Sequence, residues 1–303
     1  MMDLRFYKPI IVAAMLALLW ILESIIPQFV ARKRRLSHNA ANLTLGAINA
    51  VATFGLALAL YAICESAEQH GFGLMRWIAG PLAQGQTALP VWLQWILVLI
   101  VFDFWMYVWH VINHKIPLLW RLHSVHHTDE ELDASSALRF HTGEILLSST
   151  ARLAVAPLLG MSIEQLLVYE IILQPVILFH HSNVRVPSHI DRILRCVIVT
   201  PWMHWVHHSE YQPETDSNYA SVLSIWDRVF RTFRLRQDPD RIQLGLKGYQ
   251  PRQWRRLDGM LLSPFKMPPR CLSPDTTNDT DGARPPQTDR DAADEQTDNP
   301  TSE

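Results

Sequence analysis

The sequence predicts an all-α integral membrane protein, with about three full transmembrane helices, a membrane-embedded helical hairpin and a histidine-rich cap on the cytoplasmic side. Three observations carry this reading. Apolar runs of bilayer length recur through the first third of the chain. Charged residues make up 18% of the 303 and hydrophobic ones 49%, against about a quarter charged in a typical soluble domain. Mean hydropathy is +0.03. The 14 histidines cluster, and they do so where apolar runs end.

The elements follow in chain order. Pro9 to Val30 is apolar over the roughly 20 residues that cross the hydrocarbon core, with Glu23 and Pro27 near its end. It lacks an A-x-A-like cleavage site, so it reads as a retained helix and not as a signal peptide. The basic run Arg32-Lys33-Arg34-Arg35 follows at once and places that end in the cytoplasm. Ala41 to Cys64 is a second span, rich in Ala, Gly and Thr, which suits close helix packing in lipid. Residues 65–87 read as a loop on the far side. Leu89 to about His110 returns the chain. Ile145 to Leu159 and Ile163 to Phe179 are each short for a full span. They form either a hairpin dipping in from the cytoplasmic face or a buried hairpin of a globular domain. Ile190 to Val199 is a further short apolar piece. From Arg228 the chain turns basic. Residues 271–303 carry nine acidic and two basic residues, a local net of −7 that leaves +5 for the rest. Almost free of large apolar groups, they read as a disordered acidic tail.

Net charge is −2, which argues against nucleic acid as the partner. Cys64, Cys196 and Cys271 lie far apart without a CxxC, which argues against a disulfide framework or a thiolate metal site. The histidines carry the chemistry. His110 and His114 are four apart and share a helix face. His123, His126 and His127 form HxxHH, and His204, His207 and His208 repeat it. Imidazole suits Fe, Zn, Cu and Ni. Eight imidazoles exceed the four ligands of one structural zinc ion. They suffice for two ions with four ligands each, or with fewer and open positions. Each motif flanks an apolar span, so a metal there meets a substrate lying in lipid. His38, His70 and His189 read as packing or surface residues.

These motifs resemble those of the fatty acid hydroxylase / sterol desaturase superfamily of membrane di-iron enzymes, over about residues 99–236. The likeness extends beyond HxxxH and the two HxxHH. Asp103-Phe104-Trp105-Met106-Tyr107-Val108-Trp109-His110 resembles D-F-x-x-Y-x-x-H, and Pro117 to His123 resembles P-L-L-W-R-x-H. Leu138-Arg139-Phe140-His141 with Glu144 resembles R-x-H-P-x-E, with Thr142 in place of proline. Phe179-His180-His181-Ser182-Asn183 resembles F-x-H-S-N and makes His181 the matching position. Asn218-Tyr219-Ala220 resembles N-Y-G, and Trp226 to Thr232 resembles W-D-x-x-F-G-T, with Ala220 and Arg231 in place of glycine. Those two departures bear on local turn geometry.

The resemblance implies an enzyme with two iron ions and O2 as co-substrate that hydroxylates or desaturates a membrane lipid, with hydroxylation favoured. The implied ligands are His110, His114, His123, His126, His127, His204, His207 and His208, with His181 as a ninth. His141 is either a further ligand or a group behind one. It implies membrane helices over 1–88, a catalytic domain over 89–245, an extension over 246–270 and the tail over 271–303. Asp103 and Asn218 are the candidate catalytic residues. Asp103 is an ionisable residue in a span, two turns before His110, placed either to orient a ligand imidazole or to make an interhelical contact. Glu170 is read the same way. Asn218 and Asp227 either support the ligands or fix loops. Neither a GxGxxG nor a haem or ferredoxin cysteine run occurs, so electrons come from a separate ferredoxin or cytochrome donor with its reductase. The basic segment Arg228 to Arg241 is a docking candidate. Either a bacterial inner membrane or the endoplasmic reticulum would suit, with the histidines and the C-terminus cytoplasmic. The alternative from another class is a non-catalytic metal-binding or metal-transporting membrane protein. A transporter would hold its ligands near the bilayer midplane, whereas these histidines stand at span ends.

Overall fold

The computed structural model describes residues 4–30, 34–79, 89–246 and 252–266. The acidic tail over 271–303, and Arg32 and Lys33 of the basic run, lie outside the described residues. No strand occurs among the described residues, only three isolated bridges such as Pro27 with Val184.

Among the described residues, four helices are long and apolar enough to cross a membrane. They are α1 (Leu4–Ile25), α2 (Arg35–Gln69, followed by the short α3, Leu74–Ala79), α4 (Val91–Lys115) and α7 (Ile163–His181). Of these, α1, α2 and α4 match the three expected spans. The expected hairpin is α6 (Thr142–Leu159) with α7, and its second arm is itself of spanning length. Gly160 ends α6 in the left-handed region, at φ 78°, where a residue without Cβ is favoured. Ser162 and Gln165 then form a reciprocal capping box that starts α7.

Two contacts fix how far the hairpin reaches. Thr142 Oγ1 donates to Asn49 Oδ1 at 2.7 Å. At the other end, a Cβ on Gly73, in the turn after α2, would lie 2.3 Å from Gly160 Cα. So α6 runs beside α2 from Asn49 to the turn beyond its last residue, and the hairpin does not stop part-way. In the same way α1 runs beside α7, with Lys8 against Glu170 near one end and Glu23 against Asn183 at the other. Leu60, Cys64, Phe102, Met106, Leu166 and Tyr169 pack together where α2, α4 and α7 meet. Side chains such as Val51 (79% exposed) and Phe54 (63%) point outward, as on a helix that is apolar all round.

The cap is made of short elements: α5 (Pro117–His127), a 3-10 turn (Ala134–Leu138), α8 (Ser188–Leu194), α9 (Pro201–His207), α10 (Gln212–Thr215), α11 (Ile225–Val229) and α12 (Leu257–Lys266). Pro117 and Pro201 occupy first-turn positions of α5 and α9, where the missing N–H costs nothing. Buried Glu23 ties the bundle to the cap by accepting from Ala134 N (2.8 Å) and Asn183 N (3.0 Å). His38 does the same from α2, against Asp129 at 2.9 Å and Asp133 at 3.2 Å. It is thus a half-buried polar tie between α2 and the cap.

Candidate metal centre

Four elements bring the histidines together. The end of α4 supplies His110 and His114, α5 supplies His123, His126 and His127, the end of α7 supplies His180 and His181, and α9 with the residue after it supplies His204, His207 and His208. Their ring nitrogens fall into two neighbouring groups. One holds His110, His114, His123, His127 and His207; the other holds His126, His181, His204 and His208. Within each group the atoms lie within 4.8 Å of one another. Neither group coincides with one sequence motif: each HxxHH divides its members between the two.

The donor set fits metal ions. Nε2 of His181 stands 3.0 Å from Nε2 of His126 and 2.9 Å from that of His204, while His204 and His208 are 3.1 Å apart. His123 and His127 in the other group are 3.3 Å apart. Two nitrogens bound at about 2.1 Å to one ion, at an angle near 90°, stand about 3 Å apart. Several of these buried nitrogens have no hydrogen-bond partner, including Nε2 of His110, His114 and His207. So many orphaned polar atoms in one place are costly unless something binds them.

Protonation does not compete. Burial first, and neighbouring imidazoles second, push His126, His127, His204 and His208 well below the usual imidazole range. Burial also pushes His207 down to about 3, against the pull of its bond to the Ser217 carbonyl. These rings are neutral at pH 7 and keep a lone pair for a cation.

An outer layer fixes the ring orientations. Nδ1 of His110 bonds the Tyr219 carbonyl (2.8 Å), that of His207 the Ser217 carbonyl (2.6 Å) and that of His181 the Ile177 carbonyl (2.8 Å). His123 Nδ1 bonds Glu144 Oε1 at 2.8 Å. Each ring nitrogen that donates outward leaves Nε2 facing the group, as metal-binding histidines require.

The other candidate residues stand outside both groups. His141 caps α6, with Nδ1 accepting from Gly143 N (3.0 Å) and Nε2 against the Leu261 carbonyl (3.2 Å), so both nitrogens are engaged. Asp103 touches no imidazole. Its carboxylate accepts from Tyr169 (2.7 Å), Trp226 Nε1 (2.8 Å) and Leu223 N (3.1 Å), which makes it a tie between α4, α7 and the segment before α11. Glu170 pairs with Lys8 at 2.8 Å. Asn218 lies one layer out. Its side chain donates to the Met203 and Arg234 carbonyls and accepts from Arg234 N, at 2.7–2.9 Å. That holds the backbone whose flanking carbonyls, at 217 and 219, bond His207 and His110. Buried Asp227 supports the same loop by accepting from Tyr219 N and Ala220 N. Of the two glycine departures, Arg231 does sit at positive φ (61°).

Two residues gain importance that the sequence reading had not given them. Glu144, noticed only as part of a motif, orients His123. His180, set aside in favour of His181, is buried beside His204 with ring centroids 4.0 Å apart. Its signal was its adjacency to a motif histidine at a helix end. A cavity of about 340 Å³ opens from His110, His123, His126 and His181 and runs between α2, α6 and α7.

Residues 95–232 match the family model for fatty acid hydroxylase. Over 159 residues the chain is 29% identical to the ornithine lipid hydroxylase OlsE of Rhizobium tropici, covering 52% of this chain and 47% of that protein. It is 33% identical over 136 residues to the alkylglycerol monooxygenase of Homo sapiens, covering 43% and 28%. Human cholesterol 25-hydroxylase is 26% identical over 173 residues, covering 55% and 62%. The matches thus span less than half the length of the first two relatives. No solved structure matches. Both histidine groups fall within the matched segment: residues 95–232 are a fatty acid hydroxylase domain.

Proposed function

We propose that this chain is a membrane-bound, O2-dependent di-iron hydroxylase of a lipid. One observation carries the reading: two adjacent groups of imidazoles, with unpartnered buried nitrogens, stand at the head of a cavity between α2, α6 and α7, of which α2 and α7 are of membrane-spanning length. His110, His114, His123, His127 and His207 would hold one iron ion, and His126, His181, His204 and His208 the other. Bound ferrous iron supplies the reductive activation of O2, by which one oxygen atom enters a C–H bond and the other leaves as water, at the cost of two external electrons and two protons. The protein's own part is positioning. The carbonyls of Ser217, Tyr219 and Ile177 and the Glu144 carboxylate hold the rings in one tautomer. The cavity orients a chain beneath them, and the surrounding packed helices exclude bulk water.

The catalytic unit is taken as residues 89–245, with membrane helices over 1–88, an extension over 246–270 and a tail over 271–303. Two electrons come from a separate ferredoxin or cytochrome with its reductase. The histidines and C-terminus face the cytoplasm, in keeping with the basic run after α1. Hydroxylation is favoured over desaturation because the relatives are named hydroxylases and monooxygenases. Metal transport is disfavoured because the imidazoles gather at the ends of α4 and α7 and in the cap, away from mid-span.

Comparative lipid mass spectrometry of the host with and without the gene tests this. A lipid that gains the mass of one oxygen atom only when the protein is present supports hydroxylation. Loss of two hydrogens would shift the reading to desaturation. No change in aerobic cells that contain the electron donors would sink both.

A further inference from the structure

The cavity beneath the imidazoles has a second, charged end. On α6, Glu144, Ser148 and Arg152 follow at intervals of four and line it along one helix face. On α7, Glu170, Gln174 and His181, spaced by four and then seven, line it from the other side. Each acid here has a partner: Glu144 bonds His123, and Glu170 bonds Lys8. Arg152 forms no ion pair among the described residues. One terminal nitrogen meets Met106 Sδ at 3.8 Å, and its buried Nε has no hydrogen-bond partner. Asp103, the buried carboxylate of α4, is already occupied by Tyr169, Trp226 and Leu223. The cavity therefore carries, on half-buried Arg152, one cation without an ion-pair partner among the described residues, beside α2, α4 and α7 of membrane-spanning length. A cation in that setting is costly and marks a binding pathway by default.

We propose that Arg152 receives the anionic group of the substrate, so that the lipid oxidised here is an acidic amphiphile, a carboxylate or a phosphate. The inference rests on the hydroxylase reading and narrows its substrate class. A guanidinium is a planar fork that pairs with either anion through two parallel hydrogen bonds. Ser148 and Gln174 stand one turn or so nearer the imidazoles and add neutral donors to the same wall. Arg152 lies eight residues along α6 from Glu144, which touches His123. That is about 12 Å of helix axis between the two Cα positions, while the guanidinium itself meets Met106, one helical turn before His110. Arg152 is thus a specificity residue, and the methylenes between anion and reacting carbon are measured by the length of the cavity.

Binding of dodecanoate, dodecyl phosphate and dodecanol to the full-length, iron-loaded chain in neutral detergent tests this, by native mass spectrometry with iron content recorded on the same sample. In the wild type at least one of the two anions should bind about tenfold or more tighter than the alcohol. Whichever anion binds tighter tells carboxylate from phosphate lipid. Arg152→Gln should bring both anions down to the affinity of the alcohol and leave the alcohol unchanged; Arg152→Lys should keep part of the preference. Equal affinity of the wild type for all three overturns the proposal, whether or not Arg152→Gln folds. Absence of iron with the anion preference intact would strike the di-iron reading and leave this one standing.

Discussion

Replacing Asn218 with Ala separates positioning from catalysis. The side chain makes three hydrogen bonds in a buried setting, to the Met203 carbonyl, the Arg234 carbonyl and Arg234 N. At about 1 kcal/mol each, their loss costs about 3 kcal/mol. The residue also sits at φ 52°, where Asn is tolerated and Ala adds about 1 kcal/mol. Asn218→Ala should thus destabilise by about 4 kcal/mol, near the top of the range for one substitution. Asn218→Gly, free of the backbone penalty, should cost about 3 kcal/mol. The loop carries the carbonyls that orient His207 and His110, so iron affinity should fall about 10- to 100-fold in both variants. Thermal unfolding in detergent and iron titration read the two effects. At saturating iron, turnover should recover in proportion to the metal bound. Wild-type stability in Asn218→Ala, or full iron without turnover, would refute the positioning role; the second result would return Asn218 to the reaction itself.

Other perturbations follow the same logic. Glu144→Gln leaves His123 facing an amide in place of a carboxylate and should weaken iron binding about tenfold, with Glu144→Ala weaker still; an unchanged iron titration would dismiss the pairing. Arg231→Gly relieves a non-glycine residue at φ 61° and should raise stability by about 0.5–1 kcal/mol after the entropy of the added glycine is subtracted; a lower melting temperature would count against it. Burial works against ionisation of Asp129, but His38, Arg139 and the Ser136 hydroxyl outweigh it and hold the carboxyl well below its usual range. A depressed folded-state value means stability that is present above the unfolded value, about 4, and lost as pH falls below it. The melting temperatures of wild type and Asp129→Asn should therefore converge as pH drops below about 4, and a constant gap down to pH 3 would contradict that.

Much of the fold and of the donor set was legible in the sequence. Apolar runs mark α1, α2 and α4 because a span must bury its own backbone, whatever packs beside it. The HxxxH and HxxHH spacings reveal the imidazoles because helix geometry places i and i+4 together. Their division into two groups was not legible. His126 joins His204 and His208, while His123 and His127 join His207, and that depends on how α5 faces α9. Asp103 shows the limit of reading by spacing: two turns from His110 it could serve a ligand, yet its partners come from residues 169, 223 and 226. The Lys8–Glu170 and Glu23–Asn183 pairs join residues 162 and 160 apart, and no local pattern encodes them. His141 shows a different limit: a histidine in a motif can cap a helix with the same nitrogen that would bind a metal.

The central claim is that two metal ions sit side by side in these imidazoles, and an iron count on purified protein tests it most directly. After anaerobic loading with ferrous ion and removal of excess, two irons per chain are expected, one for each histidine group. His207→Ala and His208→Ala, one from each group, should each lower that count, while His70→Ala, far from both groups on the exposed end of α2, should leave it unchanged. One iron or none in the wild type, or an undiminished count in both variants from the groups, would contradict the claim.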